Sequence, residues 1–103
     1  MKGMNELLRQ AQVMQNKMSK LQEELGERTV EAGSGGGMVK VVCNGKQELV
    51  SISIEKDAVN PEDVEMLEDL VLTAVNEGVR LSREMAEKEM SALTGGMKIP
   101  GMF

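Results

Sequence analysis

The stretch Met38-Val39-Lys40-Val41-Val42-Cys43-Asn44-Gly45-Lys46-Gln47-Glu48-Leu49-Val50-Ser51-Ile52-Ser53-Ile54 places two largely alternating apolar and polar runs on either side of an Asn-Gly pair. Alternation with period two marks a half-buried strand, and Asn-Gly between two such runs is the strongest short-range hairpin signal. The reading is a strand over Met38 to Cys43, a turn at Asn44-Gly45 and a returning strand over Glu48 to Ile54. A loop of two residues and a loop of four keep the same parity. Val39, Val41 and Cys43 are therefore expected on one face with Val50, Ile52 and Ile54, while Lys40, Ser51 and Ser53 take the wetter face. Val39, Val41, Val50, Ile52 and Ile54 become the candidates for core or subunit contact.

Upstream of the hairpin, Thr29 to Ala32 is a short strand candidate. Gly33-Ser34-Gly35-Gly36-Gly37 then reads as a loop, because so many glycines hold neither helix nor strand well. Before it, Met4, Leu7, Ala11, Met14, Met18, Leu21 and Leu25 recur at spacings of 3, 4, 3, 4, 3 and 4. That is an unbroken heptad register, which predicts one helix from about Gly3 to Leu25 with Gly26 as its stop. At ~1.5 Å per residue it is ~33 Å long, more than one side of a small domain requires, so part of it is expected to project.

Downstream, Asn60-Pro61-Glu62-Asp63 combines a capping side chain, a proline suited to the first helical position and acids beside the positive end of the helix dipole. The following helix, expected to reach Leu93, again carries apolar or small residues at steps of 3 and 4: Val64, Leu67, Val71, Ala74, Gly78, Leu81 and Met85. The expected fold is α+β, an α-β-β-β-α subunit with a three-stranded antiparallel sheet flanked by two long helices. A single domain over residues 1–94 is expected, with residues 95–103 as a flexible tail because Gly95, Gly96 and Pro100 break regular structure.

A chain of 103 residues has room for one domain. It holds no His, one Cys, ten Met and a single aromatic, Phe103. A Cys/His zinc site, a Ser-His-Asp triad, a Cys-His dyad and an intrachain disulfide are all excluded by that inventory. The chain has no membrane-length apolar run, and its opening Met1-Lys2-Gly3-Met4-Asn5-Glu6 lacks a signal-peptide core, so a cytoplasmic protein is expected. Without aromatics the core must be aliphatic, and a small aliphatic core is expected to gain support from a second copy.

The net charge of −5 is unevenly distributed. Residues 1–22 hold Lys2, Arg9, Lys17 and Lys20 against Glu6, a net +3, whereas residues 55–77 hold Lys56 against eight acids, a net −7. A basic arm on an acidic body therefore presents its own local field. Arg9, Lys17 and Lys20 suit either a solubilising face opposite a coiled-coil seam or sequence-independent contacts to phosphates. The Met positions of the same helix suit either packing or an adaptable groove for a partner helix.

Other candidates read as structural. The Gly-rich segment lacks the Gly-Lys-Ser/Thr and following helix of a P-loop, and Cys43 on an apolar face is a small core residue. Glu62, Asp63, Glu65, Glu68 and Asp69 are spread along a solvent face and do not converge as metal ligands. No activated nucleophile, metal cluster or cofactor fingerprint is present, so neither enzymatic activity, a cofactor nor a small-molecule substrate is expected.

Five blocks together carry a resemblance: Gln10-Ala11-Gln12-Val13-Met14-Gln15-Asn16-Lys17-Met18; Gln22-Glu23-Glu24-Leu25; Met38-Val39-Lys40-Val41 before Asn44-Gly45; Glu65-Met66-Leu67-Glu68-Asp69-Leu70-Val71 with Ala74 and Asn76; and Gly96-Met97-Lys98-Ile99-Pro100-Gly101. In this order they resemble the YbaB/EbfC family of bacterial nucleoid-associated proteins. The resemblance implies a homodimer joined through the sheet region, with projecting helical arms holding duplex DNA in the nucleoid, and no catalytic activity. By the same resemblance the DNA contacts would be Arg9, Lys17 and Lys20 in the first helix and Arg80 and Lys88 in the second, with basic Arg83 nearby. The alternative is a protein-interaction module that docks a partner helix on the Met-bearing seam of the first helix.

Overall fold

A computed structural model describes residues 2–95. Helix α1 spans Lys2–Glu27, strands β1, β2 and β3 span Thr29–Ser34, Val39–Asn44 and Leu49–Ile54, and helix α2 spans Val64–Thr94. The strands form one antiparallel sheet in the order β1-β2-β3. This is the expected α-β-β-β-α arrangement. Of the expected tail, Gly95 is described and residues 96–103 lie outside the described residues.

Several element ends differ from the sequence reading, each for a local reason. Gly26 does not stop α1, which continues to Glu27. Gly45 N–H reaches the carbonyls of Leu25 at 2.7 Å and Arg28 at 3.0 Å, so the hairpin satisfies a carbonyl that a helix end leaves open. A Cβ on Gly45 would stand 2.6 Å from the Leu25 carbonyl oxygen, so glycine is required here by close approach. The expected Gly33–Gly37 loop is shorter: β1 runs through Gly33 and Ser34, and Gly35–Gly37 forms one tight turn. At α2 the cap is Asp63, whose carboxylate accepts from Met66 N–H at 3.3 Å, while Asn60 shapes the preceding turn by accepting from Glu62 N–H at 3.0 Å.

The β2–β3 turn has neither two residues nor four. Asn44 N–H donates to the Glu48 carbonyl at 3.0 Å, leaving Gly45 to Gln47 as a three-residue loop, with Gln47 in the left-handed region at φ 63. Asn44 Oδ1 accepts from Lys46 N–H at 2.9 Å and Glu48 N–H at 3.1 Å, which braces the loop from within. The odd loop is compensated by a bulge between Val42 and Cys43. Val39 therefore pairs with Ile54 and Val41 with Ile52 as parity required, but Cys43 stands opposite Leu49 and not Val50.

Two apolar clusters lie along α2. Its first half covers the sheet through Leu67, Leu70, Val71, Ala74 and Val75, against Val39, Val41 and Ala32. Its second half turns Met85, Ala86, Met90 and Leu93 toward Met18, Leu21 and Leu25 of α1. Between the clusters, Gly78 lets α2 approach β2 so closely that a Cβ there would stand 2.9 Å from both Cys43 Sγ and Val41 Cγ2. Buried Ser82 pins the hairpin to α2, its hydroxyl donating to the Asn44 carbonyl and accepting from Gln47 N–H at 3.0 Å. Strung along one helix, the clusters produce a rod of 73 × 21 × 16 Å. Its radius of gyration of 19.3 Å exceeds the ~13 Å of a globular chain of about 100 residues.

The sheet face toward α2 is only partly covered. Val39 and Val41 are fully buried under the helix. Val50, Ile52 and Ile54, expected in the same apolar layer, keep 57%, 43% and 39% of their surface exposed because α2 lies over β1 and β2 and not over β3.

Candidate nucleic-acid interface

Helix α1 meets α2 only through its second half, so the residues before Met18 form an arm without cover from the body. Sixteen residues from Lys2 to Lys17 correspond to ~24 Å of helix. The arm has two sides. With a turn every 3.6 residues, Arg9, Lys17 and Lys20 fall within an arc of about 80°, on the side away from the seam of Leu7, Ala11, Met14 and Met18. The periodicity that packs Met18, Leu21 and Leu25 against α2 thus also sets the bases off the seam, with Lys17 and Lys20 at the edge of the α1–α2 contact.

The bases differ in what holds them. Arg9 pairs with Glu6 at 2.6 Å, an exposed contact between residues three apart. Lys17 and Lys20 form no ion pair among the described residues, and with Leu21, Glu24, Glu89, Ala92 and Leu93 they line a shallow groove where α1 meets α2. Arg28, just past α1, bridges to Glu89 of α2 at 2.7 Å.

On α2, Arg80 sits in a fork of carboxylates. Its Nε donates to Glu77 at 3.0 Å, a second contact runs from Nη2 to the same carboxylate, and Nη1 meets Glu84 at 2.6 Å. The Arg80 hydrogen bonds hold the Glu77 carboxyl below its usual range, and Glu77 in turn pushes the guanidinium further above its own. Arg83 and Lys88 are exposed and form no ion pair among the described residues. The fork was legible in the sequence, since Glu77, Arg80 and Glu84 have the three- and four-residue spacing that joins opposite charges on a helix.

The acids lie elsewhere. Glu62, Asp63, Glu65, Glu68 and Asp69 are exposed at the sheet end of α2, whereas Leu93 at its other end packs beside Leu21 and Lys17. The 24 residues from Asp69 to Leu93 correspond to ~36 Å of helix, several times the ~8 Å screening length at physiological salt. These acids therefore lie beyond the screening length from Lys17 and Lys20, whose nearer acidic neighbours are Glu24 and Glu89 in the shared groove. Among the described residues no three His, Cys, Asp or Glu side chains are placed to hold a metal ion, and no helix is long and apolar enough to cross a membrane.

What the chain presents is a sheet-bearing body with an incompletely covered apolar flank and one long arm whose outer side is basic. This chain belongs to the YbaB/EbfC DNA-binding family, whose sequence model matches residues 1–97. It is 60% identical over 101 residues to a nucleoid-associated protein of Desulforamulus reducens, covering 98% of this chain and 96% of that one. A nucleoid-associated protein of Moorella thermoacetica is 57% identical, covering 98% and 97%. The crystal structure of an uncharacterized protein from Helicobacter pylori has the same fold, with a TM-score of 0.78 at 29% identity over 86% of this chain and 94% of that one.

Proposed function

We propose that this protein acts in the nucleoid as a homodimer that holds duplex DNA between its two arms by contacts to the phosphate backbone, organising the chromosome or modulating expression. Arg9, Lys17 and Lys20 supply the main contacts, with Arg83 and Lys88 of α2 beside them; Arg80 joins only by leaving Glu77 and Glu84. The observation that carries this reading is the arm itself: a helix outside the core with its bases on one side, two of them without an acidic partner among the described residues. Membership of a DNA-binding family supports it. Duplex is favoured over single strands because no aromatic side chain on the arm can stack on an exposed base, and backbone contact needs none.

The pairing surface in this reading is the flank left open beside β3. Burying what remains exposed of Val50, Ile52 and Ile54 on two copies is worth about 6 kcal/mol at roughly 1.5–3 kcal/mol per side chain. Association costs about 4–15 kcal/mol, so Leu67, Val71, Leu72 and Val75, which line an adjoining apolar groove on α2, must contribute as well.

Salt-dependent binding to duplex DNA is the test. Neutralising four to six phosphates per dimer gives a log K against log salt slope of about −4 to −5, and charge reversal at Lys17 and Lys20 should reduce both affinity and slope. Absence of binding at low salt overturns the proposal. The exposed seam at Leu7 and Met14 favours a second reading, docking of a partner helix. In that case polar substitution at Met14 abolishes activity and charge reversal leaves it nearly intact. Met14 is the cleaner probe than Met18, which packs against α2.

A further inference from the structure

The apolar seam of α1 outlasts the helix that covers it. Met18, Leu21 and Leu25 pack against Met85, Ala86, Met90 and Leu93, and α2 ends at Thr94, where Gly95 takes a left-handed φ of 68 and donates its N–H to the Ser91 carbonyl. Met14, Ala11, Leu7 and Met4 continue the same register toward the free end of the arm and are exposed, Met14 at 37%, Leu7 at 64% and Met4 at 53%. Leu8, one position off the seam, is 62% exposed.

The surroundings of this open seam carry no charge. In heptad terms Met4 and Ala11 are a positions and Leu7 and Met14 are d positions, flanked by Leu8 and Gln15 at e and by Gly3 and Gln10 at g. All eight residues are uncharged. Glu6 and Arg9, the charged residues of the same stretch, lie off the seam and pair with each other at 2.6 Å. Charges at e and g set partner choice, and a partner helix of one sign would be matched by the opposite sign at these positions. Their neutrality instead removes like-charge repulsion between two copies of the arm.

The register favours one arrangement of the copies. Parallel arms would set Ala11 against Ala11 and leave a gap in the seam. Antiparallel arms pair an a position with a d position in each layer: Met4 with Met14 of the other copy, and Leu7 with Ala11, each occurring twice. Large then meets small in both central layers. Around the two-fold axis Leu8 meets Leu8 on one flank and Gln10 meets Gln10 on the other. The overlap stops short of Met18, where α2 already covers the seam.

We propose that arms of two copies pair antiparallel through Met4, Leu7, Ala11 and Met14, linking the protein to further copies of itself. With the axis at the level of residue 9, the Leu25 residues of the two copies stand ~48 Å apart along the helices at ~1.5 Å per residue, so the same two bodies cannot also meet beside β3. This contact is therefore separate from the sheet pairing proposed above. Where that pairing exists, each dimer offers two arms and the dimers extend into a row. Arg9 faces away from the contact and Lys17 flanks Gly3 of the other copy, which leaves the bases open. Four such layers hold weakly between free chains and gain from the high local concentration of copies sharing one duplex.

Cross-linking of the full chain with a short bismaleimide, without DNA, tests the contact apart from DNA binding. Leu8→Cys and Gln10→Cys lie on the exposed arm outside both apolar clusters, and the wild-type protein, whose one thiol at Cys43 is fully buried, is the blank. Each variant should form covalent dimers about tenfold faster than Asn16→Cys, an exposed site on the far side of α1. Leu7→Gln with Ala11→Gln should bring both rates down to that of Asn16→Cys. A mixture of Met4→Cys and Met14→Cys should join unlike chains faster than like ones. Without sheet pairing these links still form and sedimentation ends at two chains; with it, species larger than a dimer appear, and Leu7→Gln with Ala11→Gln removes them. The proposal is overturned if Leu8→Cys and Gln10→Cys react no faster than Asn16→Cys, the result expected when another protein's helix or another segment of the same chain holds the seam. It is also overturned if Met4→Cys and Met14→Cys each prefer their own kind, which marks parallel arms.

Discussion

Replacing Gly78 by Ala probes the contact on which the body depends. The added Cβ would lie 2.9 Å from Cys43 Sγ and from Val41 Cγ2, both fully buried, against an ordinary separation of about 3.5–4.0 Å. Neither neighbour is the far end of a flexible chain, so either α2 lifts from the sheet by several tenths of an ångström or Val41 leaves its rotamer. Overpacking of this kind costs about 1–3 kcal/mol. Ala is better than Gly inside a helix by about 1 kcal/mol, which offsets part of that. The expected outcome is a net loss of about 1 kcal/mol. Adding Val41→Ala removes the clashing Val41 Cγ2 and leaves only Cys43 Sγ, so the double variant should be more stable than the two single losses sum to, by about 1 kcal/mol. Urea unfolding followed by far-ultraviolet circular dichroism suits a chain with no Trp or Tyr, and a fixed chain concentration keeps any contribution from self-association constant. A gain in stability for Gly78→Ala together with no coupling to Val41→Ala would refute the close α2–β2 approach.

Ser82→Ala removes the hydroxyl that joins the Asn44 carbonyl and Gln47 N–H; since those two groups also bond each other at 3.2 Å, a loss of about 1–2 kcal/mol is expected, with faster amide exchange at Gln47. Glu77→Gln with Glu84→Gln frees Arg80, and the salt slope of DNA binding should steepen by about 1 for each Arg80 that reaches a phosphate; an unchanged slope removes Arg80 from the contacts. Burial raises the Cys43 thiol pKa. Above the unfolded-state value of about 8.5 the unfolded chain releases a proton that the folded chain retains, so stability falls as pH rises from there, a fall that Cys43→Ala should flatten in urea midpoints measured between neutral and alkaline pH.

Periodicity alone determined the element order, the long projecting helix, the meander and the outward arc of Arg9, Lys17 and Lys20, because each depends on side-chain repeats within one segment. Neighbour spacing also contained the pairing of Arg80 with Glu77 and Glu84, which a count of bases overlooks. Contacts between segments decided the rest. Gly26 stays inside α1 because Gly45 approaches from the hairpin, and the β2–β3 turn takes three residues because Ser82 of α2 holds Gln47 and a bulge restores the parity. Val50, Ile52 and Ile54 have the same alternation as Val39 and Val41 yet stay open, because alternation assigns a face while the lateral position of α2 decides how much of that face is covered. Charge follows the same division: the sequence contains both a basic and an acidic segment, but only the antiparallel docking of α1 on the far half of α2 sets Lys17 and Lys20 several screening lengths from the acids of residues 62–69 and beside Glu24 and Glu89 instead.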